Sequence, residues 1–481
     1  MTPPRETCDV FVVGGGPAGL AAAAQAAAAG LAVTLVDERV TLGGQIYKQP
    51  GPGFDVREPA KLGREYQAGR RLIDAVARSS VRVLLRTSVV ALDGEEVVIC
   101  EDEVRTRIFH AARIVIAAGA YDRPVAFPGW TLPGVLTAGG AQTMVKTQRV
   151  TPGERIVFAG SGPVALAFPA QLHHYGAHVE LVCEAGPPPG LRDLAAMLGA
   201  ARGNVNLLRD AASYRLSLLR ARIPLRYRRI VIRAEGSERV EAVVHAAVDA
   251  SWRVIPGSEE RVAADTLCLG YGFVPSVELL RLAGCAFTED EDRGGAIVAV
   301  DEWMRTSAPG VLAAGDGTGV EGSLVAVEEG RLACLGAALD LAAITPATAQ
   351  TLAAPIRRRL ARRRAFRRAL ARMHAVGPGI YELAPADAIV CRCEEITRRA
   401  LDAAIESSAD PSVVKGLTRA GMGMCQGRNC QRQIAALIAA RHGCDIGEIH
   451  AATARAPVRP VALAAIADAS IEDHGLFTTA V

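Results

Sequence analysis

Two segments of the chain share one pattern of apolar and small residues. In residues 9–37 an apolar run leads into a glycine turn, an alanine-rich stretch and a second apolar run that ends at Asp37. Residues 155–184 repeat this order and end at Glu184. Short apolar runs bounded by glycine predict buried strands, and the stretches between them predict helices. The chain is therefore predicted to be an α/β protein built on two strand–helix–strand units.

The glycine turn of the first unit has the spacing that dinucleotide binding requires. Gly14-x-Gly16-x-x-Gly19 follows the first predicted strand and opens the predicted helix. The first glycine permits a tight turn, the second lets the backbone approach a pyrophosphate, and the third lets the helix and strand pack closely. The pyrophosphate would rest on the helix N-terminus, and Asp37 would accept hydrogen bonds from an adenosine ribose.

The second unit carries a weaker copy of this motif, in which alanine takes the place of the third glycine. Its acidic residue would repel a 2′-phosphate, so a dinucleotide here would be NAD-like rather than NADP-like. The sequence leaves open whether this second site binds NAD, ATP or nothing. Its candidate binding residues are Gly160, Gly162, Pro163, Val164 and Glu184.

Two further apolar runs, at residues 113–124 and 306–319, end in small residues. The first run contains Ala118 and Gly119, and the second contains Asp316. A flat cofactor or a ribityl chain could pass close to such a backbone, and Asp316 could then accept hydrogen bonds from ribityl hydroxyls. The alternative is that Asp316 caps a helix. Because the second glycine turn lies between the first turn and Asp316, we expect one nucleotide domain inserted within another, with electron or hydride transfer between them.

These segments resemble the two-dinucleotide-binding-domain (Rossmann-like) flavoproteins of the pyridine nucleotide-disulfide oxidoreductase group. The resemblance covers about residues 8–345 and implies FAD in the outer domain, with its adenosine near Asp37 and its ribityl chain near Asp316. The group's active-site cysteine pair is missing, so the fold transfers and disulfide reduction does not. The implied FAD-binding residues are Gly14, Gly16, Pro17, Ala18, Gly19, Asp37, Glu38, Gly44, Gln45, Ala118, Gly119 and Asp316.

Four of the eleven cysteines are clustered, as Cys391-x-Cys393 and Cys425-x4-Cys430. The others are scattered singly, as buried small hydrophobic residues would be. Four thiolates on two turns suit an iron–sulfur cluster or zinc. A Cys-x-Cys pair is cramped for two corners of one tetrahedron, whereas a cluster spreads its four ligands over two irons. The spacing therefore favours a cluster over zinc, or over no metal at all.

This block resembles the bacterioferritin-associated-ferredoxin type of 2Fe-2S domain, in the form appended to α subunits of multi-subunit amine and imino-acid dehydrogenases. Such relatives include opine, D-hydroxyproline and L-proline dehydrogenases, hydrogen cyanide synthase and heterotetrameric sarcosine oxidase. The resemblance implies a hetero-oligomer in which a β flavoprotein subunit carries the substrate site. This chain would conduct electrons through its cluster and its FAD. A small additional ferredoxin-like subunit fits the same pattern.

Nine arginines fall within residues 357–372, between the flavoprotein region and the cysteines. An apolar stripe through Ile356, Leu360 and Met373 predicts a helix with a cationic face. In a chain of net charge +3, such a helix is expected to be a solvated linker or a subunit contact, not a nucleic-acid site. The apolar stretch 10–36 holds too many glycines for a transmembrane helix. We therefore expect a cytoplasmic protein, peripheral to the inner membrane at most through its electron acceptor.

The expected function is that of an electron-transferring FAD and 2Fe-2S α subunit of a dye- or quinone-linked dehydrogenase. Its substrates would be secondary amines or amino acids of the opine, hydroxyproline, proline or glycine type. Two alternatives remain: a self-sufficient NADH-dependent flavin and iron–sulfur reductase, and a non-catalytic scaffold that holds nucleotide and cluster. No residue is assigned as catalytic. The expected order is an FAD-binding domain (1–150 and 286–345), an inserted NAD-like domain (151–285), an arginine-rich helical linker (346–385), a small helical 2Fe-2S domain (386–446) and a proline-punctuated tail (447–481).

Overall fold

A computed structural model of the chain describes residues 6–102 and 104–465. The chain forms two compact units. Unit 1 comprises Met1–Ala120, Pro275–Arg364 and Thr453–Val481, and unit 2 comprises Tyr121–Val274 and Ala365–Ala452. The last part of the predicted tail, residues 466–481, lies outside the described residues.

The strands alternate with helices, as predicted for an α/β protein. In chain order the described strands are β1 Glu6–Val13, β2 Val33–Val36, β3 Arg82–Leu84, β4 Thr87–Asp93, β5 Glu96–Glu101, β6 Arg105–Ile116, β7 Ala120–Asp122, β8 Val135–Thr137, β9 Arg155–Gly160, β10 His178–Glu184, β11 Leu225–Tyr227, β12 Arg229–Glu235, β13 Ala242–Ala247, β14 Glu260–Ala263, β15 Thr266–Gly270, β16 Phe273–Pro275, β17 Phe287–Asp290, β18 Gly295–Val298, β19 Val311–Ala313, β20 Ile389–Cys391 and β21 Ile396–Thr397. The described α-helices are α1 Pro17–Ala28, α2 Arg64–Ala77, α3 Ala138–Thr143, α4 Val164–His174, α5 Leu191–Gly199, α6 Val205–Arg220, α7 Glu278–Leu282, α8 Ser323–Asp340, α9 Pro346–Met373, α10 Arg398–Ser407, α11 Pro411–Thr418 and α12 Gln431–His442.

Unit 1 is built on a seven-stranded sheet in the order β3-β2-β1-β6-β5-β4, with β19 also paired to β6. Strands β1, β2, β6 and β19 are parallel, and Val13 lies opposite both Val36 and Ile116. Ile116 in turn lies opposite Ala313. Because these parallel strands end in register, the segments that follow β1, β6 and β19 emerge at one edge of the sheet. That edge is where ligands bind in open α/β sheets.

Unit 2 contains a parallel sheet in the order β11-β10-β9-β15-β8 and an antiparallel sheet in the order β12-β13-β14. Gly160, the last residue of β9, lies opposite Glu184 at the end of β10 and opposite Gly270 at the end of β15. The two strand–helix–strand units expected from the sequence are therefore both present. The fold class is confirmed.

The cysteine-bearing segment of unit 2 shares one hydrophobic core with the parallel sheet of that unit. Phe127 and Leu269 belong to the same buried cluster as Leu401 and Ile438. Hydrogen bonds join the two parts as well, since the Trp130 indole N–H donates to the carbonyl oxygen of residue 389 at 2.6 Å. The segment that holds the cysteines is therefore packed into unit 2 rather than attached to it by a mobile link.

The arginine-rich segment forms helix α9, and its predicted apolar stripe is confirmed, because Ile356, Leu360 and Met373 are buried. Its cationic face is not simply solvated. Arg359 and Arg363 each contact the Glu328 carboxylate at 2.8 Å, and that side chain is only 2% exposed. The interpretation as a solvated linker is therefore wrong for these arginines, which neutralise a buried acid on α8.

From residue 453 onward, the described part of the C-terminal tail belongs to unit 1. The Val458 N–H donates to the Val90 carbonyl at 2.9 Å, and the Thr106 hydroxyl donates to the carbonyl of Ala465 at 2.7 Å. Across residues 6–102 and 104–465, no helix combines the length and the apolar character that a membrane crossing demands.

Candidate functional sites

The first glycine loop connects β1 to α1, and two of its glycines are required by close backbone contacts. A Cβ on Gly14, whose φ is +99°, would lie 2.4 Å from the Ala117 carbonyl oxygen, and a Cβ on Gly19 would lie 1.8 Å from the Gly14 carbonyl oxygen. Helix α1 begins at Pro17 without a side-chain cap. Its N-terminal amides and the helix dipole are therefore available to an anion.

Asp37, at the end of β2, ties this loop to the sheet. Its carboxylate accepts hydrogen bonds from the N–H groups of Gly15 at 2.7 Å and Arg39 at 2.8 Å. Burial raises its pKa, and the two backbone donors oppose that rise. An ionised carboxylate has about four acceptor positions, so two remain for ribose hydroxyls. The neighbouring Glu38 is exposed and instead pairs with Arg459 at 2.8 Å.

Gly44 and Gln45, both predicted to bind FAD, follow each other in the segment beside this loop. Gly44 packs against the loop, whereas Gln45 is exposed. Gly44 has a φ of +63°, and a Cβ on it would lie 2.8 Å from the Gly16 Cα, so only glycine fits against the loop. The Gly43 N–H also donates to the Gly15 carbonyl at 2.8 Å. Gln45 is exposed, and its side-chain oxygen accepts a hydrogen bond from the Lys48 ammonium at 2.5 Å.

Asp316 reaches the same edge of the sheet from β19. It lies in the 3₁₀ turn Gly315–Thr318, and its carboxylate oxygen is 3.9 Å from where a Cβ on Gly119 would stand. Burial raises the pKa of Asp316 to about 6. No donor to its carboxylate is found within residues 6–102 and 104–465. A partly desolvated carboxylate of this kind fits a ligand that brings hydroxyl donors, such as a ribityl chain.

Together, the first loop, Asp37, Gly119 and Asp316 form a site suited to FAD. Free amides at α1 would hold the pyrophosphate, Asp37 the adenosine ribose and Asp316 the ribityl chain. FAD bound there would accept two electrons from a reduced donor. The groups at this edge are mainly backbone amides of glycines and side-chain carboxylates. Such groups can bind and orient a cofactor.

The second glycine loop repeats the acid–loop contact in unit 2. Glu184 accepts hydrogen bonds from the N–H groups of Gly162 at 3.1 Å and Gly186 at 2.9 Å. Burial raises the pKa of Glu184 to about 7. The left-handed glycine of this loop is Gly162, with a φ of +93°, whereas in the first loop it is Gly14. The two loops therefore share a motif and an acidic partner but not a backbone conformation.

His374, just beyond α9, covers the second loop and was not indicated by any sequence motif. Its Cβ and Cγ each lie 3.9 Å from where a Cβ on Gly162 would stand, and its Nδ1 is 3.9 Å from the Glu184 carboxylate. Burial lowers the pKa of His374 to about 4, so the imidazole is neutral at pH 7 and the contact is not an ion pair. In the first loop, the glycine that corresponds to Gly162 faces only the backbone of Gly44.

The four predicted cysteines come together as two pairs. Cys391 hydrogen-bonds with Cys430, and Cys393 hydrogen-bonds with Cys425. The first pair is buried, whereas Cys393 is exposed. In the described part of the chain, no three Cys, His, Asp or Glu side chains converge on one point as for a single ion. Two pairs fit two irons better than one tetrahedral zinc.

The backbone around the thiols also fits a cluster. Backbone N–H groups of Gly421, Glu394 and Cys393 hydrogen-bond to the Cys391 sulfur. A Cβ on Gly423 would lie 2.3 Å from the Cys393 Cβ, so position 423 must be glycine for the turn to approach Cys393 this closely. Amide donors to sulfur are among the features that set the potential of iron–sulfur clusters.

Comparison with known families agrees with this geometry. Residues 8–330 match the family described as pyridine nucleotide-disulphide oxidoreductase, and residues 389–440 match the BFD-like [2Fe-2S] binding domain. The chain therefore belongs to the pyridine nucleotide-disulphide oxidoreductase family, as an FAD-type oxidoreductase with a C-terminal 2Fe-2S domain. Both resemblances inferred from the sequence are confirmed.

Several relatives are named as subunits of larger enzymes. The chain is 34% identical to the HcnB subunit of hydrogen cyanide synthase from Pseudomonas protegens over 430 residues, which cover 87% of this chain and 89% of that protein. It is 33% identical to an opine oxidase subunit of Rhizobium meliloti over 472 residues, covering 96% and 98%. Similarity to the alpha subunit of sarcosine oxidase from Corynebacterium (31%) covers 36% of this chain and 19% of that protein.

Solved structures show the same fold at low sequence identity. L-proline dehydrogenase from P. horikoshii superposes with a TM-score of 0.68 at 21% identity, over 96% of this chain and 80% of that one. Thioredoxin reductase from T. acidophilum superposes with a TM-score of 0.52 at 20% identity, over 70% of this chain and 100% of that one. At such identities the likeness establishes the fold alone.

Proposed function

We propose that the chain is the electron-conducting FAD and 2Fe-2S subunit of a multi-subunit dehydrogenase that oxidises secondary amines or amino acids. The observation that carries this proposal is the presence, on one chain, of a flavin-type glycine loop with Asp37 and Asp316 and of two facing thiol pairs. Relatives named as subunits of opine oxidase and hydrogen cyanide synthase support the assignment to an oligomer.

The two sites divide the electron chemistry. Oxidation of a secondary amine releases two electrons, which a flavin can accept together, whereas a 2Fe-2S cluster passes them on singly. We place the substrate site on a partner flavoprotein subunit, since the side chains gathered around the first loop hold a cofactor rather than a substrate. The final acceptor would be a quinone, or a dye in the assay.

The position of His374 weighs against a self-sufficient NADH-dependent reductase. Such an enzyme would need a nicotinamide dinucleotide on the second loop, where the pyrophosphate approaches the second glycine of the motif. The imidazole stands beside that glycine in this chain. A dinucleotide that approached this glycine would meet the His374 side chain, so we favour the conducting role over the reductase.

The test supplies substrates anaerobically to the purified chain and to its native complex while the flavin and cluster absorbance is followed. The chain alone should stay oxidised with opines, proline, hydroxyproline and glycine, and the complex should bleach with one of these. Bleaching of the isolated chain by an amine would place substrate oxidation in this subunit. Rapid bleaching by NADH would favour the reductase, and a flavin that no donor reduces in the complex would favour a scaffold.

A further inference from the structure

Glu329, on α8, is a fully buried acid outside the predicted cofactor residues. One oxygen accepts hydrogen bonds from the Gly315 N–H at 2.8 Å and from the Thr318 hydroxyl at 2.9 Å. The other oxygen accepts a hydrogen bond from the Arg364 guanidinium at 2.5 Å. The side chain of Glu329 has no exposed surface. This acid therefore connects the turn that carries Asp316 to the arginine-rich helix.

The turn held by Glu329 also packs on the first glycine motif. Gly315 has a φ of +79°, and a Cβ on it would lie 3.0 Å from the Cβ of Ala18 in α1. The residue after Glu329 makes a second close contact, because a Cβ on Gly330 would lie 2.0 Å from the Ala18 carbonyl oxygen. A shift of Glu329 would therefore be felt at both segments assigned to FAD.

Arg364 contacts the acids at both ends of this arrangement. Its Nε donates to Glu321 at 3.0 Å, while its Nη2 donates to Glu329. Glu321 lies three residues after the turn, and its side chain is 5% exposed. A guanidinium has donors in a fixed fork, so one arginine can hold two carboxylates where a lysine offers a single point charge.

We infer that Arg364 is a positioning residue for FAD, which acts through Glu329 and Glu321 on the turn that carries Asp316. The inference rests on the proposed placement of FAD over Asp316. It gives the arginine-rich helix a role inside the flavin domain, beyond linking two parts of the chain.

The positive charge of Arg364 stabilises the ionised form of Glu329, which is buried away from solvent. Burial raises the pKa of Glu329 to about 7 even though Arg364 acts to lower it. Without the guanidinium, the pKa of Glu329 would rise further, so the carboxyl would be protonated over a wider pH range. A protonated carboxyl has fewer acceptor positions than a carboxylate, so its hold on the Gly315 N–H and the Thr318 hydroxyl would weaken.

The test measures FAD affinity by titrating flavin into the deflavinated full-length chain and following flavin fluorescence. Arg364→Met should weaken binding by ~10-fold or more, the usual value of a charge-assisted hydrogen bond. Arg364→Lys should recover part of this loss. The matched control is Arg359→Met on the same helix, since Arg359 bonds Glu328, an acid that pairs with arginines of α8 and α9 instead of holding the turn. FAD affinity should not change in the control.

Two comparisons separate the failure of this inference from that of the flavin placement. If Asp316→Ala weakens FAD binding while folded Arg364→Met does not, Arg364 has no positioning role. If neither change weakens binding, FAD lies elsewhere and the placement itself is wrong. Equal losses in Arg364→Met and Arg359→Met would also overturn the inference, because they would reflect general damage to α9. Should Arg364→Met fail to fold, Glu329→Gln makes the same test without changing the side-chain volume, and unchanged affinity there is refuting.

Discussion

Which of the two glycine loops binds the flavin can be decided by a matched pair of substitutions. Asp37 directly follows β2, and Glu184 ends the equivalent strand β10. Each carboxylate accepts hydrogen bonds from two backbone N–H groups, at 2.7 and 2.8 Å for Asp37 and at 3.1 and 2.9 Å for Glu184. Asp37→Asn and Glu184→Gln each leave a single side-chain oxygen and remove the charge. The local damage is therefore nearly the same in both variants.

The affinity for FAD should differ between the two variants. In either loop, one of the two backbone N–H groups loses its acceptor oxygen, and the cost of burying a charge is relieved. If the adenosine ribose bonds Asp37, the loss of that acceptor raises the Kd for FAD in Asp37→Asn by a further ~10- to 100-fold. Glu184→Gln should retain its flavin, because its loop belongs to unit 2, whereas the residues proposed to bind FAD belong to unit 1.

The assay is the flavin-to-protein ratio after purification, followed by titration of each deflavinated variant with FAD. Thermal unfolding of both variants, monitored by circular dichroism, shows whether the local damage is comparable. Equal flavin loss from two variants of equal stability would refute the assignment of FAD to the first loop. Selective loss from Glu184→Gln would move the flavin to the second.

Three more outcomes follow from the structure. Replacing Cys391 or Cys425 with Ser should remove iron and acid-labile sulfide but leave the flavin bound, and chemical iron analysis that still finds a full cluster would show that other residues are the ligands. Gly19→Ala should abolish flavin retention, because its Cβ would fall 1.8 Å from a carbonyl oxygen; an Ala variant that purifies yellow would contradict this contact. Burial raises the pKa of Glu184 from 4.5 to about 7, so its carboxyl costs nothing below pH 4.5 and destabilises the folded chain progressively as the pH rises through 7. Denaturant unfolding of Glu184→Gln across this range should therefore lose a pH dependence worth roughly 3 kcal/mol, and an unchanged pH profile would argue against the buried carboxyl.

The sequence was sufficient to predict the loops whose function depends on backbone shape. Glycines such as Gly14 and Gly19 are needed because nothing larger fits, so their spacing is visible without a structure. The thiols were predictable for a related reason, since few chemistries other than metal binding call for Cys391 and Cys393 so close together. Such local requirements leave a mark within a few neighbouring residues.

Contacts between segments that are distant in the chain produce no comparable local sequence motif. Arg364 is one of several similar arginines in α9, and only the fold reveals that it faces the buried Glu329. His374 belongs to no motif, yet the end of α9 places it against the second loop. The pattern of apolar residues and arginines predicted the helix and its apolar stripe. It could not show that the cationic face contacts acids on α8, because that pairing depends on tertiary packing.

The core that the cysteine segment shares with the parallel sheet of unit 2 links cluster binding to the stability of that sheet. A cofactor that binds only the folded form stabilises every element that must be folded for it to bind. Leu401 and Ile438 complete the same apolar interior as Phe127 and Leu269, so the free energy of cluster binding is also folding free energy for that sheet. A chain that lacks iron should therefore lose stability in this sheet as well as in the cysteine segment.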